Sequence, residues 1–211
     1  MKHEGMNVFI VEDDQSVRDA LGLLLGLKGY PVALFASAES LLEAYLPAWR
    51  GCLLIDIRMP GMDGLALQRR LLDRGCAMPV IVMTGHGDVE SARAAFRAHA
   101  IDFLEKPIDH DRLLAAIDEA FAQQAAQRGA AEARTRLGEL MGRLTPRETE
   151  VMKLVVAGRH NREIAELLGI SARTIEVHKA RLMAKLQVRS VPDLVRLCLP
   201  SSDDAGGLLR D

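Results

Sequence analysis

Five short apolar runs, each ending in a polar or flexible segment, divide the first 120 residues of the chain. They predict β-strands, because β-branched and large aliphatic residues dominate each run. Amphipathic stretches with helical spacing lie between them, such as the one that contains Val17, Leu21 and Leu24. This alternation is typical of βαβ units and predicts a doubly wound α/β domain with a five-stranded parallel sheet. The predicted strands are residues 8–11, 31–35, 52–56, 80–84 and 102–105.

Polar side chains stand at the ends of four of these strands. Glu12 and Asp13 follow the first strand, Asp56 ends the third, Thr84 ends the fourth and Lys106 follows the fifth. Because the carboxyl ends of parallel strands lie at one edge of a sheet, we expect these side chains to meet there. Three clustered carboxylates repel one another, and Mg²⁺, which prefers oxygen ligands, compensates for that repulsion. Such an ion would keep Asp56 ionised as a nucleophile towards a phosphoryl group, with Lys106 as a second positive charge.

The segments that carry these residues are "VEDD", "LLIDIRMPGMDG", "VIVMTGHGD" and "DFLEKP". In this order and spacing they resemble a response-regulator receiver domain. The resemblance implies a flavodoxin-like sheet with strand order 2-1-3-4-5 and phosphorylation of Asp56 by a sensor histidine kinase. It also implies that Asp13 binds Mg²⁺ directly, that Glu12 binds it through water, and that Asp56 and the backbone carbonyl of Arg58 are further ligands.

The same resemblance assigns a switch pair, Thr84 and Phe103, and a phosphate-contacting lysine, Lys106. It implies that phosphorylation draws Thr84 and Lys106 inward while Phe103 rotates into the vacated space. A cis peptide between Lys106 and Pro107 is also implied. The face formed by the fourth predicted helix and the fifth strand would then favour a homodimer. The predicted contacts on that face are Val89, Arg93 and Phe96.

Helix-start signals mark four short helices in the second half of the chain. Thr145, Pro146 and Glu148 fit an N-cap, a first helical position and the acidic member of a capping box. The glycine-containing turn in "ELLGIS" joins the middle two helices, which predicts a helix-turn-helix unit. The other three starts are marked by Asn161, Ser171 and Ser190.

The helix after Ser171 carries an inward stripe of Ile175, Leu182 and Leu186, and another face of small and charged residues. That face suits a DNA major groove, although a solvated surface helix is also charged. Predicted base contacts are Glu176, Val177, Ala180 and Arg181, and Arg173 is a further predicted DNA-binding residue on the same face. Predicted phosphate contacts are Arg162, Thr174, Lys179 and Lys185, which position the helix without recognising sequence.

The string "LTPRETEVMKLVVAGRHNREIAELLGISARTIEVHKARLMAKL" resembles the LuxR-type DNA-binding domain, and the order of the two domains resembles FixJ-family transcription regulators. The resemblance implies a structural or phosphate-contacting role for His178. It also implies a phosphorylated homodimer that binds promoter DNA, with RNA polymerase as a further partner and activation as the commoner outcome. The predicted domains are a receiver (1–122), a helical linker (123–142), a DNA-binding domain (143–200) and a disordered tail (201–211).

A helical pattern continues through the linker, where Gly129 could interrupt it. Leu137, Leu140, Met141 and Leu144 form an apolar stripe near its end. This stripe is consistent with a coiled-coil seam or with a helix that covers its own domain.

The charge distribution separates the two halves. Residues 1–120 carry 12 Lys and Arg against 18 Asp and Glu, whereas residues 144–200 carry 10 against 6. The acidic half suits a cation and the basic half suits phosphate backbones. No apolar run approaches the length of about 20 residues that a membrane span needs. We therefore expect a cytoplasmic protein that does not contact the membrane.

Two other classes of function remain open at this point. A Mg²⁺-dependent phosphatase or phosphotransferase also forms an aspartyl phosphate, but such enzymes typically carry a second aspartate where this chain has Arg58. A protein-interaction adaptor would use the helical domain without binding DNA. We favour a regulator that catalyses only its own phosphorylation and dephosphorylation.

Overall fold

A computed structural model of the chain describes residues 5–85 and 100–198. The strands are β1 (Asn7–Val11), β2 (Val32–Phe35), β3 (Gly51–Asp56), β4 (Val80–Thr84) and β5 (Ala100–Glu105). The described helices are α1 (Gln15–Leu27), α2 (Ala38–Ala44), α3 (Gly64–Asp73), α4 (His110–Gly142), α5 (Pro146–Val156), α6 (Asn161–Leu168), α7 (Ala172–Lys185) and α8 (Val191–Cys198).

The five strands form one parallel sheet in the order β2-β1-β3-β4-β5, which confirms the predicted fold class and strand order. The register pairs Val11 with Ile55 and Asp56 with Met83, so β1, β3 and β4 end at the same edge. β5 begins before its predicted start, because the register shifts beside Ile101 and the strand continues past that irregularity.

Both faces of the sheet are covered, which explains why its strands are almost continuously apolar. Successive residues of a strand point to opposite faces. Phe9 and Val11 therefore pack with residues of α2 and α3, whereas Val8 and Ile10 pack with residues of α1 and α4. β3 is buried along its whole length, including Asp56. The edge that carries the polar residues is thus held by a core on each side.

An aromatic cluster closes the face that carries α2. The ring of Trp49 stacks on Phe9 with a centroid separation of 4.3 Å. Phe35 and Tyr45 also contact Trp49, at 5.8 and 5.9 Å between ring centroids. The tryptophan is therefore packed against the centre of β1.

The chain divides into two compact units between Ala130 and Ala131. Helix α4 passes Gly129 without a break. Leu140 is buried in the core of the second unit, and Met141 and Leu144 pack against the same core. Three of the four residues of the stripe therefore cover their own domain, as one of the two interpretations predicted. The predicted boundaries at residues 122 and 143 stay predictions.

The second unit contains the four short helices that the start signals predict. Thr145 Oγ1 accepts a hydrogen bond from the backbone N–H of Glu148, and Glu148 Oε2 accepts one from that of Thr145. The start of α6 differs by one residue from the prediction, because His160 rather than Asn161 is the N-cap. Glu163 accepts a hydrogen bond from the backbone N–H of His160 at 2.8 Å, which fixes this start.

Within the described residues, no helix combines the length and the apolar character that crossing a bilayer requires.

Candidate functional site

Three carboxylates converge at the carboxyl edge of the sheet. Glu12, Asp13 and Asp56 each offer an oxygen, and these oxygens lie within 4.8 Å of one another. Glu12 is 1% exposed and Asp56 is 5% exposed, whereas Asp13 is exposed to solvent. The predicted convergence is confirmed, because the sheet register brings the ends of β1 and β3 together.

Lys106 joins this cluster from the end of β5. Its Nζ donates to Glu12 Oε2 at 2.7 Å and to Asp56 Oδ2 at 2.9 Å. The backbone N–H of Lys106 donates to the carbonyl oxygen of Thr84 at 2.7 Å, which fixes the lysine to the end of β4. The peptide between Lys106 and Pro107 is cis, as predicted. One ammonium group therefore bridges two carboxylates, one that follows β1 and one that ends β3.

The cluster shifts the pKa values of its members in the directions that burial and charge require. Burial raises the pKa of Glu12, and repulsion from Asp56 adds to this effect, while the hydrogen bond from Lys106 opposes it. Burial by itself would lower the pKa of Lys106. Its hydrogen bonds to the two carboxylates outweigh burial and raise that pKa instead. Lys106 therefore stays positively charged.

The charge and chemistry of the cluster fit a hard divalent cation. Three carboxylates and one ammonium group leave two formal negative charges, equal and opposite to the charge of one Mg²⁺. All the side-chain donors are carboxylate oxygens, the ligand type that Mg²⁺ prefers. Exposed Asp13 gives the site a side open to water, which Mg²⁺ retains in its coordination shell.

The loop between β1 and α1 is held by contacts that sequence reasoning missed. Arg18 Nη1 donates to the carbonyl oxygen of Glu12 at 2.7 Å and to that of Asp13 at 3.2 Å. Asp14 is the N-cap of α1 and accepts hydrogen bonds from the backbone N–H groups of Ser16 and Val17. Because its carboxylate caps α1, Asp14 is not part of the cluster of Glu12, Asp13 and Asp56.

The loop after Asp56 is also held in place, by two hydrogen bonds and by one close backbone contact. The backbone N–H of Arg58 approaches Asp56 Oδ1 at 3.4 Å. Glu39, at the start of α2, accepts a hydrogen bond from the backbone N–H of Met62 at 3.1 Å. Gly64 lies directly against β3, since a Cβ atom there would be 2.3 Å from the carbonyl oxygen of Asp56. The last glycine of "LLIDIRMPGMDG" is thus required by close packing.

The proposed switch residues lie on neighbouring strands. Thr84 ends β4 and is 1% exposed, and its register partner on β5 is Glu105. Phe103 is half-buried on β5 and packs against the core on the side of α2 and α3. The dimer contacts predicted at Val89, Arg93 and Phe96, like the predicted tail 201–211, lie outside the described residues.

A second candidate site is the helix-turn-helix of α6 and α7. Gly169 ends α6 in the left-handed conformation at φ 65°, which glycine adopts without a steric penalty. Ser171 is the N-cap of α7 and accepts a hydrogen bond from the backbone N–H of Thr174 at 3.1 Å. Ile175 and Leu182 of α7 are fully buried, and Leu186 just beyond it is 2% exposed. The predicted inward stripe is confirmed.

The opposite face of α7 is open to solvent. Its exposed residues include the four predicted base contacts, Glu176, Val177, Ala180 and Arg181, together with Arg173. His178 and Lys179 are half-buried, as is Thr174, whose hydroxyl also contacts Ser171 Oγ at 2.8 Å. The roles of these residues in DNA binding stay predictions.

Lys185 has a second interaction that its predicted phosphate contact did not anticipate. Its Nζ donates to Glu148 Oε2 at 2.6 Å, and the Glu148 side chain is only 4% exposed. The hydrogen bonds from Lys185 and from the backbone of Thr145 hold the pKa of Glu148 at about 2. The lysine therefore ties the end of α7 to the capping box of α5.

A basic cleft of about 800 Å³ lies where α6 begins. Arg162 and Lys179, both predicted to contact phosphate, line it together with Arg159 and His160. The N-terminus of a helix also favours negative charge. The lining also includes Glu163, which pairs with Arg159 at 4.0 Å, so the cleft combines the two predicted phosphate contacts with one ion pair and a histidine.

Comparison with protein families finds two matches along the chain. The family model described as "Response regulator receiver domain" matches residues 8–118. The model described as "Bacterial regulatory proteins, luxR family" matches residues 142–198. The two matches correspond to the two sites described above.

Full-length relatives show the same arrangement. The chain is 43% identical over 196 residues to the transcriptional regulatory protein FixJ of Azorhizobium caulinodans, with 93% of each chain covered. It is 40% identical over 206 residues to FixJ of Bradyrhizobium diazoefficiens, with 97% of this chain and 98% of the relative covered.

Solved structures agree with these relatives. A low-resolution structure of the response regulator StyR has a TM-score of 0.83 and 41% identity, covering 92% of this chain and 98% of that one. Full-length FixJ from B. japonicum has a TM-score of 0.58 and 40% identity, covering 92% and 95% of the respective chains.

Proposed function

Because this chain belongs to the FixJ-type response regulators of two-component systems, in which a receiver domain precedes a LuxR-type DNA-binding domain, we propose that phosphorylation of Asp56 controls its binding to promoter DNA. The observation that carries this proposal is the acidic cluster at the edge of the sheet, with Lys106 bonded to both Glu12 and Asp56. The phosphoryl donor is the phosphohistidine of a sensor kinase. We place the protein in the cytoplasm.

The phosphoryl transfer uses Asp56 as the nucleophile. One carboxylate oxygen forms a bond to phosphorus while the bond between phosphorus and the kinase histidine breaks, and the imidazole leaves with the electron pair. Glu12, Asp13, Asp56 and the backbone carbonyl of Arg58 would hold Mg²⁺, which when bound neutralises charge on the phosphoryl oxygens. Lys106 lies 2.9 Å from Asp56, close enough to donate to the phosphoryl group once it is attached.

The response to phosphorylation runs through the ends of β4 and β5. Thr84 contributes a hydroxyl beside the phosphoryl group, and the movement of Thr84 and Lys106 leaves space for Phe103. The bond between the Lys106 backbone and the Thr84 carbonyl couples the two residues. Phosphate can shift this equilibrium only by stabilising one state more than the other. We propose that the favoured state is a homodimer, with Val89, Arg93 and Phe96 at its interface.

The dimer presents two copies of α7 to DNA. The exposed face that contains Arg173, Glu176, Val177 and Arg181 enters the major groove, and the basic cleft beside α6 contacts the backbone. A dimer that recognises two half-sites at once binds DNA more tightly than a monomer that recognises one. The bound dimer then contacts RNA polymerase and activates transcription.

The phosphorylation step is tested by labelling the full chain with acetyl phosphate in the presence of Mg²⁺. Asp56→Asn should abolish both labelling and the dimerisation that depends on it, measured by analytical ultracentrifugation. Asp63→Asn is the matched control, because Asn replaces the N-cap of α3 with another good N-cap residue. Undiminished labelling of the Asp56 variant would contradict the assignment.

The DNA-binding step is tested with genomic fragments selected by the phosphorylated protein. Contacts with several phosphates make the affinity fall steeply with salt concentration. Arg181→Ala should reduce selectivity among the fragments, while Lys179→Ala should weaken binding to all of them and flatten the dependence on salt. If no fragment is bound in a salt-dependent manner, the protein-interaction adaptor would be favoured instead.

A further inference from the structure

Arg18 holds the backbone of both acidic residues that follow β1. Its Nη1 carries two hydrogens and donates to two consecutive carbonyl oxygens, those of Glu12 and Asp13. The backbone N–H of Glu12 is bonded on the other side to the carbonyl oxygen of Phe35 at 3.1 Å. Asp14 is fixed as the N-cap of α1. Arg18 is therefore the side chain that closes the set of contacts around this loop.

The position of Arg18 is unfavourable for a cation unless something compensates for it. Its backbone N–H donates to the carbonyl oxygen of Asp14, so Arg18 lies in the first turn of α1. That turn contains no acidic residue of its own, and the carboxylate of the N-cap Asp14 is engaged with the backbone N–H groups of Ser16 and Val17. A helix N-terminus carries a partial positive charge, which repels a cation. The two carbonyl oxygens are the partners that the structure gives to this guanidinium group.

We propose that Arg18 is a positioning residue for magnesium binding, which acts by fixing the backbone from which the carboxylates of Glu12 and Asp13 extend. This inference rests on the magnesium site of the proposed function. Residues that orient metal ligands without touching the metal commonly change metal affinity by 10-fold to 100-fold, roughly, when they are replaced. Arg18 contacts the backbone of two of the three residues that supply carboxylates to the cluster, Glu12 and Asp13.

The positioning role and a purely electrostatic role predict opposite results. A guanidinium beside the cluster repels a divalent cation, so the loss of its charge alone would make Mg²⁺ bind more tightly. The loss of its hydrogen bonds releases the Glu12–Asp13 backbone, and Mg²⁺ would bind more weakly. The sign of the change therefore distinguishes the two roles.

The experiment is calorimetric titration of the full chain with magnesium chloride. Arg18→Met removes the charge and both hydrogen bonds, whereas Arg18→Lys keeps the charge and cannot reproduce the geometry of the guanidinium group. Arg74→Met is the matched control, because Arg74 Nη1 also donates to a backbone carbonyl oxygen, that of Leu42, at 2.7 Å. Urea unfolding without Mg²⁺ measures the stability of each variant.

We expect Arg18→Met to weaken Mg²⁺ binding by about 10-fold or more, Arg18→Lys to weaken it less, and Arg74→Met to leave it unchanged. Unchanged or tighter binding by Arg18→Met would overturn the inference while leaving the magnesium site intact. Equal weakening by Arg74→Met would also overturn it, because general destabilisation would then explain the effect. Absence of Mg²⁺ binding in the unaltered chain would instead refute the magnesium site itself, and the inference with it.

Discussion

Gly64→Ala tests how tightly the candidate phosphorylation site is packed. A Cβ at residue 64 would lie 2.3 Å from the carbonyl oxygen of Asp56 and 2.9 Å from Cγ2 of Ile55. Contacts of a Cβ below 3.0 Å are essentially never observed, so the first separation must increase by about 0.7 Å. The atom that must move is backbone in a fully buried strand, which cannot shift without disturbing its neighbours.

The substitution therefore has two expected effects. Overpacking of this kind destabilises a folded domain by about 1–3 kcal/mol. Displacement of Asp56 by a large fraction of an ångström should slow its phosphorylation by about 10-fold or more, because misplacement by roughly 1 Å can cost about 100-fold in rate. The two quantities are measured by urea unfolding followed by circular dichroism and by the rate of labelling with acetyl phosphate.

Gly26→Ala is the matched control for this prediction. Gly26 lies in α1, and a Cβ there meets no atom within 4 Å. Replacing a glycine inside a helix by alanine usually stabilises the protein by about 0.5–1 kcal/mol. We expect the control to gain stability and to keep its labelling rate. A Gly64→Ala variant as stable and as rapidly labelled as the unaltered chain would refute the argument from close packing.

Three further substitutions test the other contacts. The pKa of Glu148, held at about 2, lies below the value of 4.5 expected without its partners. The ion pair of Glu148 with Lys185 therefore stabilises the fold above pH 4.5. This stabilisation is lost as the pH falls towards 2. Glu148→Gln should abolish that part of the pH dependence of thermal unfolding, while exposed Glu150→Gln should retain it, and equal slopes would contradict the prediction. Tyr30→Phe removes the hydrogen bond to Asp118 at 2.7 Å and should lower the free energy of unfolding in urea at neutral pH by about 1 kcal/mol. An unchanged unfolding midpoint would contradict this prediction. Ser171→Ala removes the N-cap of α7, which should lower the free energy of unfolding by about 1 kcal/mol and weaken DNA binding. Ser171→Asp should retain the cap. Equal stability of the two variants would count against the role of the cap.

The features predicted correctly from the sequence are those with local or periodic causes. Apolar runs that end at Val11 and Asp56 indicated buried parallel strands, and the edge at which they end follows from the handedness of the connections. The capping box of Thr145 and Glu148 marked a helix start because both of its partners lie within one turn. The stripe of Ile175 and Leu182 followed from helical spacing.

The features that the sequence did not predict depend on contacts between distant or competing groups. Lys185 contacts Glu148, which is 37 residues away, and no local pattern identifies that pair. Arg18 contacts backbone carbonyl groups, which carry no sequence signature, although a cation in the first turn of a helix was a signal that could have been used. His160 replaced Asn161 as the N-cap because Glu163 binds its backbone, a choice that the usual N-cap preferences do not reveal.

The stacking of Trp49 on Phe9 gives the first unit a spectroscopic signal of its own. Trp49 is the single tryptophan of the chain, and it is packed against the strand that leads to Glu12. Its fluorescence therefore reports the unfolding of the first unit alone, whereas the ellipticity of the helices contains contributions from both units. Recorded on one sample, the two signals resolve the melting of the regulatory half from that of the helical half without a fluorescent label.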